Sequence, residues 1–230
     1  MSFLTEHGRF LSRVIGPVSG NVLLRREQIR AADDPTKACA IARSVVQGKI
    51  ANSRSVLQRR LRDHGEDACL SHAVSALANI LLRTRSEDSV DTLRGLEGEA
   101  ASHYFGVFDS LVVSQKQDFA MTGRSRRPPL DPVNTLISFL YTLLAHDCEG
   151  ALEGVGLDPQ IGFLHALRPG RPSLALDLME EFRAVLADRV ALSLINLNQI
   201  NARGFVTSET GAVTMKDDTR KEVLLAWQEK

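Results

Sequence analysis

Residues 131–156 read DPVNTLISFLYTLLAHDCEGALEGVG, and this stretch decides the fold class. Asp131 followed by Pro132 is a helix cap with proline in the first turn, where its missing N–H costs nothing. The body that follows is apolar nearly all round, the signature of a helix buried in a core. Its longest uncharged apolar run, Ile137 to Ala145, is less than half of the ~20 residues a membrane span needs. The segment therefore reads as the central helix of a helical body.

Working outward, the same grammar recurs. Asp34-Pro35 caps a helix read through KACAIARSVVQG to Gly48, and NSRSVLQRRLRDH forms a second with Val56, Leu57 and Leu61 on one face. DACLSHAVSALANILLR gives a third, and a fourth begins near Ser89 and runs through VDTLRGLEGEAASHYFGVFDSLV. Beyond the central helix, QIGFLHAL is a short apolar piece that reads as extended or loosely turned. A long helix then begins at Ser173, its expected cap, and Asp218 is the expected cap of a last helix. GFVTSETGAVTM reads as a small hairpin turned at Thr210-Gly211, and SFLT with RFLSRVIG as a hairpin about His7-Gly8, closed by GPVSGN. The expected architecture is mainly α: residues 1–30 are a β-domain remnant with its linker, and residues 31–230 are the helical body.

Composition narrows the function. Lys+Arg and Asp+Glu tie at 28, so no whole-molecule field draws in polyanions and a histone-like binder is excluded. Aromatics at 5% argue against a stacking platform for single strands. Cys39, Cys69 and Cys148 lack paired spacing, which argues against a disulfide framework or zinc knuckle and for a reducing cytoplasm. The start MSFLTEHGRF carries charges where a signal peptide needs apolar residues. A soluble cytoplasmic protein is expected. Charge is uneven along the chain, with twelve Lys/Arg against four Asp/Glu in residues 1–62 and four against ten in residues 63–122. RSRRPPLDP and RPGRP add two basic loops, which proline and glycine keep out of helices.

A few side chains could carry chemistry. Asp177 and Glu180 are three apart and share a helix face. Glu97 sits between Gly95 and Gly98 in a helical pattern, where two glycines suggest close approach by another group. His165 lies on an apolar run beside a basic loop. One imidazole with carboxylates and no cysteine is a hard donor set suited to Mg²⁺ or Mn²⁺. Plainer readings stand beside these: exposed helix acids for Asp177 and Glu180, a core histidine for His165, and a surface pair with Arg94 for Glu97. Spacing alone does not unite Glu97, His165 and Glu180.

Four long strings, FLTEHGRFLSRVIGPVSGNVLLRR, GLEGEAASHYF, RSRRPPLDPVNTLISFLYTLL and IGFLHALRPGRPSLALDLMEEFR, in this order, resemble the CRISPR-associated integrase, the metal-dependent nuclease of spacer acquisition. The branch found with type I-C systems is the most similar. The resemblance implies an N-terminal β-domain and a helical catalytic C-terminal domain, with Glu97, His165 and Glu180 as catalytic metal ligands. Asp177 would be an outer ligand or a carboxylate behind them. Asn134, Arg126, Arg127, Arg168 and Arg171 would position DNA or support the ligands. It implies DNA fragments and the CRISPR repeat as partners, a homodimer, a second adaptation protein and no membrane. Relative to the family pattern, strands are missing ahead of SFLTE and the chain stops early, so a fragment cut at both ends is expected. Two other functions compete: a non-catalytic DNA-binding or assembly piece of the same family, and an unrelated helical metal-dependent phosphodiesterase.

Overall fold

The computed structural model describes residues 2–5, 10–14 and 21–230. A short antiparallel pair, β1 (Ser2–Leu4) with β2 (Phe10–Arg13), precedes a helical body. The expected turn at His7-Gly8 and most of the closing GPVSGN segment lie outside the described residues.

The body holds α1 (Val22–Asp33), α2 (Pro35–His64), α3 (Ala68–Arg83), α4 (Val90–Gly106), α5 (Pro132–Gly154), α6 (Ser173–Phe182), α7 (Arg189–Asn196) and α8 (Asp217–Gln228). Between α7 and α8, β3 (Phe205–Thr207) pairs antiparallel with β4 (Val213–Met215), and Gly211 in their turn has φ +79°. The protein is mainly helical, as the sequence predicts, and α5 is the buried central helix, with Val133, Leu136, Ile137 and Leu140 fully enclosed. Among the described residues, no helix is long and apolar enough to cross a membrane.

Several expectations change in detail. The helix α1 is not anticipated: its apolar positions are mostly exposed, and it is set by the Asn21 cap, which accepts from Leu23 and Leu24, and by one buried side chain, Gln28. Gln28 Nε2 donates to the carbonyls of Asp158 and Ile161 at 2.8 Å, and its Oε1 accepts from Asp158 N at 2.9 Å. The two helices expected on either side of Gly48 are one helix of 30 residues. There the glycine marks a close approach, because a Cβ at 48 would lie 2.6 Å from Glu181 Cγ on α6. Ser173 does not cap α6; its buried hydroxyl donates to the Ala166 carbonyl, and the Pro159 carbonyl takes the Leu174 N–H at 2.8 Å. Asp218 likewise lies inside α8, whose cap position is Lys216.

The long helix expected from Ser173 is continuous but widened. Residues Arg183–Asp188 form a π turn between α6 and α7. In an α-helix, residues five apart point in different directions; in a π turn they are the bonded pair, one above the other. Arg183 and Asp188 thus both reach Tyr141 of α5: the guanidinium carbon lies 4.6 Å from the ring centre, and Asp188 Oδ1 accepts from the hydroxyl at 2.9 Å.

Because alanine's helix advantage of about 1 kcal/mol competes at residue 48 with Glu181, Gly48→Ala alone should leave the urea midpoint nearly unchanged. On a Glu181→Ala background, the same substitution should stabilise by about 1 kcal/mol.

Candidate functional site

Glu97 on α4 and Glu180 on α6 come together around Lys49, at the midpoint of α2, and His165 in the loop ahead of α6 lies beside Glu180. Lys49 Nζ pairs directly with Glu97 Oε1 and lies 2.6 Å from Glu180 Oε2. The buried Glu180 Oε2 is held by this ion pair and by no other hydrogen-bond donor among the described residues. Glu180 Oε1 pairs with Arg183 Nη2 at 2.9 Å and lies 3.8 Å from His165 Nε2. Burial alone would raise the Glu180 carboxyl, but Lys49 and Arg183 outweigh it and hold the group below the usual carboxylate range.

Asp177 serves the loop. Fully buried, it accepts the backbone N–H groups of Phe163 (2.6 Å), Leu164 (2.9 Å) and His165 (2.9 Å), and its Oδ1 lies 2.7 Å from His165 Nδ1. An imidazole bonded to a carboxylate through Nδ1 leaves Nε2 as the free lone pair, and here Nε2 faces Glu180. The loop closes this tightly because residue 162 is glycine: a Cβ there would lie 2.6 Å from the Ser173 carbonyl carbon. Arg94 Nε adds a bond to the Leu164 carbonyl at 2.5 Å, tying α4 to the same loop.

The surface readings of these acids therefore do not hold: Asp177 and Glu180 are buried, and Glu97 pairs with Lys49 while Arg94 pairs with Asp91. Gly95 and Gly98 are not sites of close approach, since a Cβ at either would meet nothing within 4 Å. Asn134 has no exposed surface with which to touch DNA. It binds the loop ahead of α5 instead, donating to the Gly123 carbonyl at 2.7 Å and accepting from Arg124 Nη1 at 2.6 Å. Arg126, Arg127 and Arg168 are exposed and Arg171 is half-buried, all on loops.

Sequence reasoning missed Lys49, Arg183 and Asp188. For Arg183 and Asp188 the sequence offered a weak signal, charged residues in an otherwise apolar helix pattern; for Lys49, in a mixed helix, it offered none. Asp188 sits in the core between Tyr104 (3.0 Å) and Tyr141 (2.9 Å), both hydroxyls donating to it. Burial and the Asp188 charge push both phenols well above their usual range, so they stay donors.

As arranged, no three His, Cys, Asp or Glu side chains among the described residues stand close enough to hold a metal ion, and Lys49 fills the gap between the carboxylates. The donor chemistry does fit a hard divalent cation. Glu180 offers a buried oxygen held by the Lys49 ammonium and no other donor among the described residues, Glu97 is paired to the same ammonium, and His165 turns Nε2 toward Glu180.

Two predictions follow from this geometry. Gly162→Ala forces backbone apart and should cost about 1–3 kcal/mol in urea unfolding. Burial lifts the Asp188 carboxyl from 3.8 to about 6. Between those values the folded chain binds more protons than the unfolded one, so stability falls as pH rises and levels off above pH ~6. Asp188→Asn should remove that slope, on the order of 2–3 kcal/mol, in unfolding curves taken from pH 4 to 7.

Comparison with known proteins bears on what such a site is for. The family model described as CRISPR associated protein Cas1 matches residues 1–229. A CRISPR-associated endonuclease Cas1 of Rhodospirillum rubrum is 57% identical over 234 residues, covering 99% of this chain and 67% of that relative. Among solved structures, a casposase bound to integration product superposes with a TM-score of 0.85 at 26% identity, over 99% of this chain and 62% of that one. The partial Cas6-RT-Cas1–Cas2 complex gives 0.82 at 27% identity, over 99% and 68%. The chain thus spans about two thirds of the length of these relatives. A match of this extent removes the reading as an unrelated helical phosphodiesterase. The chain belongs to the Cas1 family of CRISPR-associated proteins.

Proposed function

We propose that this chain carries the metal-dependent DNA-joining chemistry of CRISPR spacer acquisition, in the branch associated with type I-C systems. The observation that carries the reading is the meeting of two carboxylates, Glu97 and the buried Glu180, at one ammonium, with His165 Nε2 beside Glu180, in a Cas1-family chain. Glu97, His165 and Glu180 would hold Mg²⁺ or Mn²⁺. Bound there, the ion would polarise the target phosphodiester and stabilise charge on the attacking or leaving oxygen.

The reaction is a transesterification. A 3′-hydroxyl of the captured fragment forms a new bond to phosphorus at the repeat boundary while the existing P–O bond to the repeat strand breaks. The number of phosphodiester bonds is conserved, and no protein nucleophile is needed. Asp177 keeps the imidazole turned so that its Nε2 faces Glu180. Arg183 and Lys49 offset the acidic charge at the centre. Arg126, Arg127, Arg168 and Arg171 would hold the DNA backbone by charge, with salt-dependent and largely sequence-blind affinity. The partners in this reading are DNA, a second copy of the chain and the second adaptation protein, the last supported by the named Cas1–Cas2 neighbour. The cytoplasm is the expected compartment.

Lys49 between the two carboxylates is also what a non-catalytic, DNA-docking member of the family could show. The two readings part in a Mn²⁺ titration with branched DNA. Wild type should join strands, and Glu97→Ala or His165→Ala should fall to the metal-free level while keeping the far-ultraviolet dichroism of a folded chain. DNA binding without turnover at any Mn²⁺ concentration favours the docking reading.

A further inference from the structure

Lys49 is only 9% exposed, an unusual setting for a lysine. Its ammonium lies between carboxylates that come from two other helices, and no other described lysine bridges two acids in this way. Counting charges around it explains why it is tolerated. Glu97 and Glu180 contribute two negative charges, and Lys49 and Arg183 two positive. These four charges balance one another, and a buried ammonium paired with two carboxylates avoids the large desolvation cost of a lone one.

A divalent ion entering the same carboxylates would leave two excess positive charges in a poorly solvated place, beside an ammonium already bonded to the oxygens it needs. Arg183 cannot leave easily, because its guanidinium is stacked over Tyr141. Lys49 can: its side chain is 11% exposed and its four-carbon stem is flexible. The α4 surface next to Glu97 is also bare, with open space at Gly95 and Gly98.

We propose that Lys49 is a resident counter-cation that a divalent metal displaces, so that metal uptake and release of the ammonium from Glu97 and Glu180 are one exchange. This deepens the metal-site reading above and rests on it. In the metal-free chain Lys49 holds the two carboxylates together. Once displaced, it becomes a free cation at the edge of the centre, suited to an incoming phosphate.

The experiment is a Mn²⁺ titration of the full chain without DNA, following the free-ion electron paramagnetic resonance signal in wild type, Lys49→Met and Glu97→Ala. Lys49→Met should bind Mn²⁺ at least fivefold more tightly than wild type and melt at a lower temperature in EDTA. Glu97→Ala should lose the site. A lysine with only a structural role would lower the melting temperature without tightening Mn²⁺. As a measurement that needs no variant, reductive methylation of wild-type Lys49, read by mass spectrometry, should rise severalfold when Mn²⁺ replaces EDTA. If wild type binds Mn²⁺ but Lys49→Met binds no tighter, or if Lys49 labelling is unchanged, the exchange is wrong and the metal site stands. If wild type takes up no Mn²⁺ at millimolar concentration, the metal site itself is wrong and the exchange goes with it. Should Lys49→Met fail to fold, the labelling decides.

Discussion

The ionisation of Glu180 is the constraint around which this molecule is organised. A carboxylate only 3% exposed must be compensated or protonated, and here compensation comes from two directions. Helix α2 brings Lys49 and the π turn after α6 brings Arg183, while the loop before α6 sets His165 beside the same carboxylate. Each demands a close approach, and the approaches are visible as glycines: Gly48 lets α2 meet α6, and Gly162 lets the histidine loop close on Asp177. Packing and electrostatics are the same problem here, since the ion pairs form only if the helices meet at these distances.

The helical body was legible because its signals are local. Asp-Pro caps, apolar periodicity and proline-rich loops act over a few residues, and they located α2, α3, α4 and α5 without knowledge of the fold. What failed was equally local in form but decided by distant partners. Gly48 reads as a break until Glu181 is seen beside it; Ser173 reads as a cap until the Pro159 carbonyl is seen to take that role. Helix α1 has little apolar face to read, and its one anchoring side chain is a glutamine bonded to backbone more than a hundred residues away.

The candidate site divides along the same line. Glu97, His165 and Glu180 were reached by resemblance, and nothing in their spacing brings them together. Asp177 was legible as a neighbour of Glu180 on one face, but its role as acceptor for three backbone amides depends on a loop that folds back over it. Lys49 could not be found by pattern, because a lysine inside a mixed helix of alanines, serines and arginines looks like any solvated one. Only the geometry shows that its charge is enclosed. Asn134 is the opposite case: expected to position DNA or support the ligands, it is fully buried and spends its amide on Arg124 and Gly123.

The clamp made by Gln28 has a mechanical meaning. One amide side chain fastens α1 to the carbonyls of Asp158 and Ile161, and Ile161 stands four residues ahead of His165. The clamp therefore couples α1 to the strap that aims the imidazole, and a pull on α1 would reach His165 through the hydrogen bonds of Gln28 and the four residues of chain beyond Ile161.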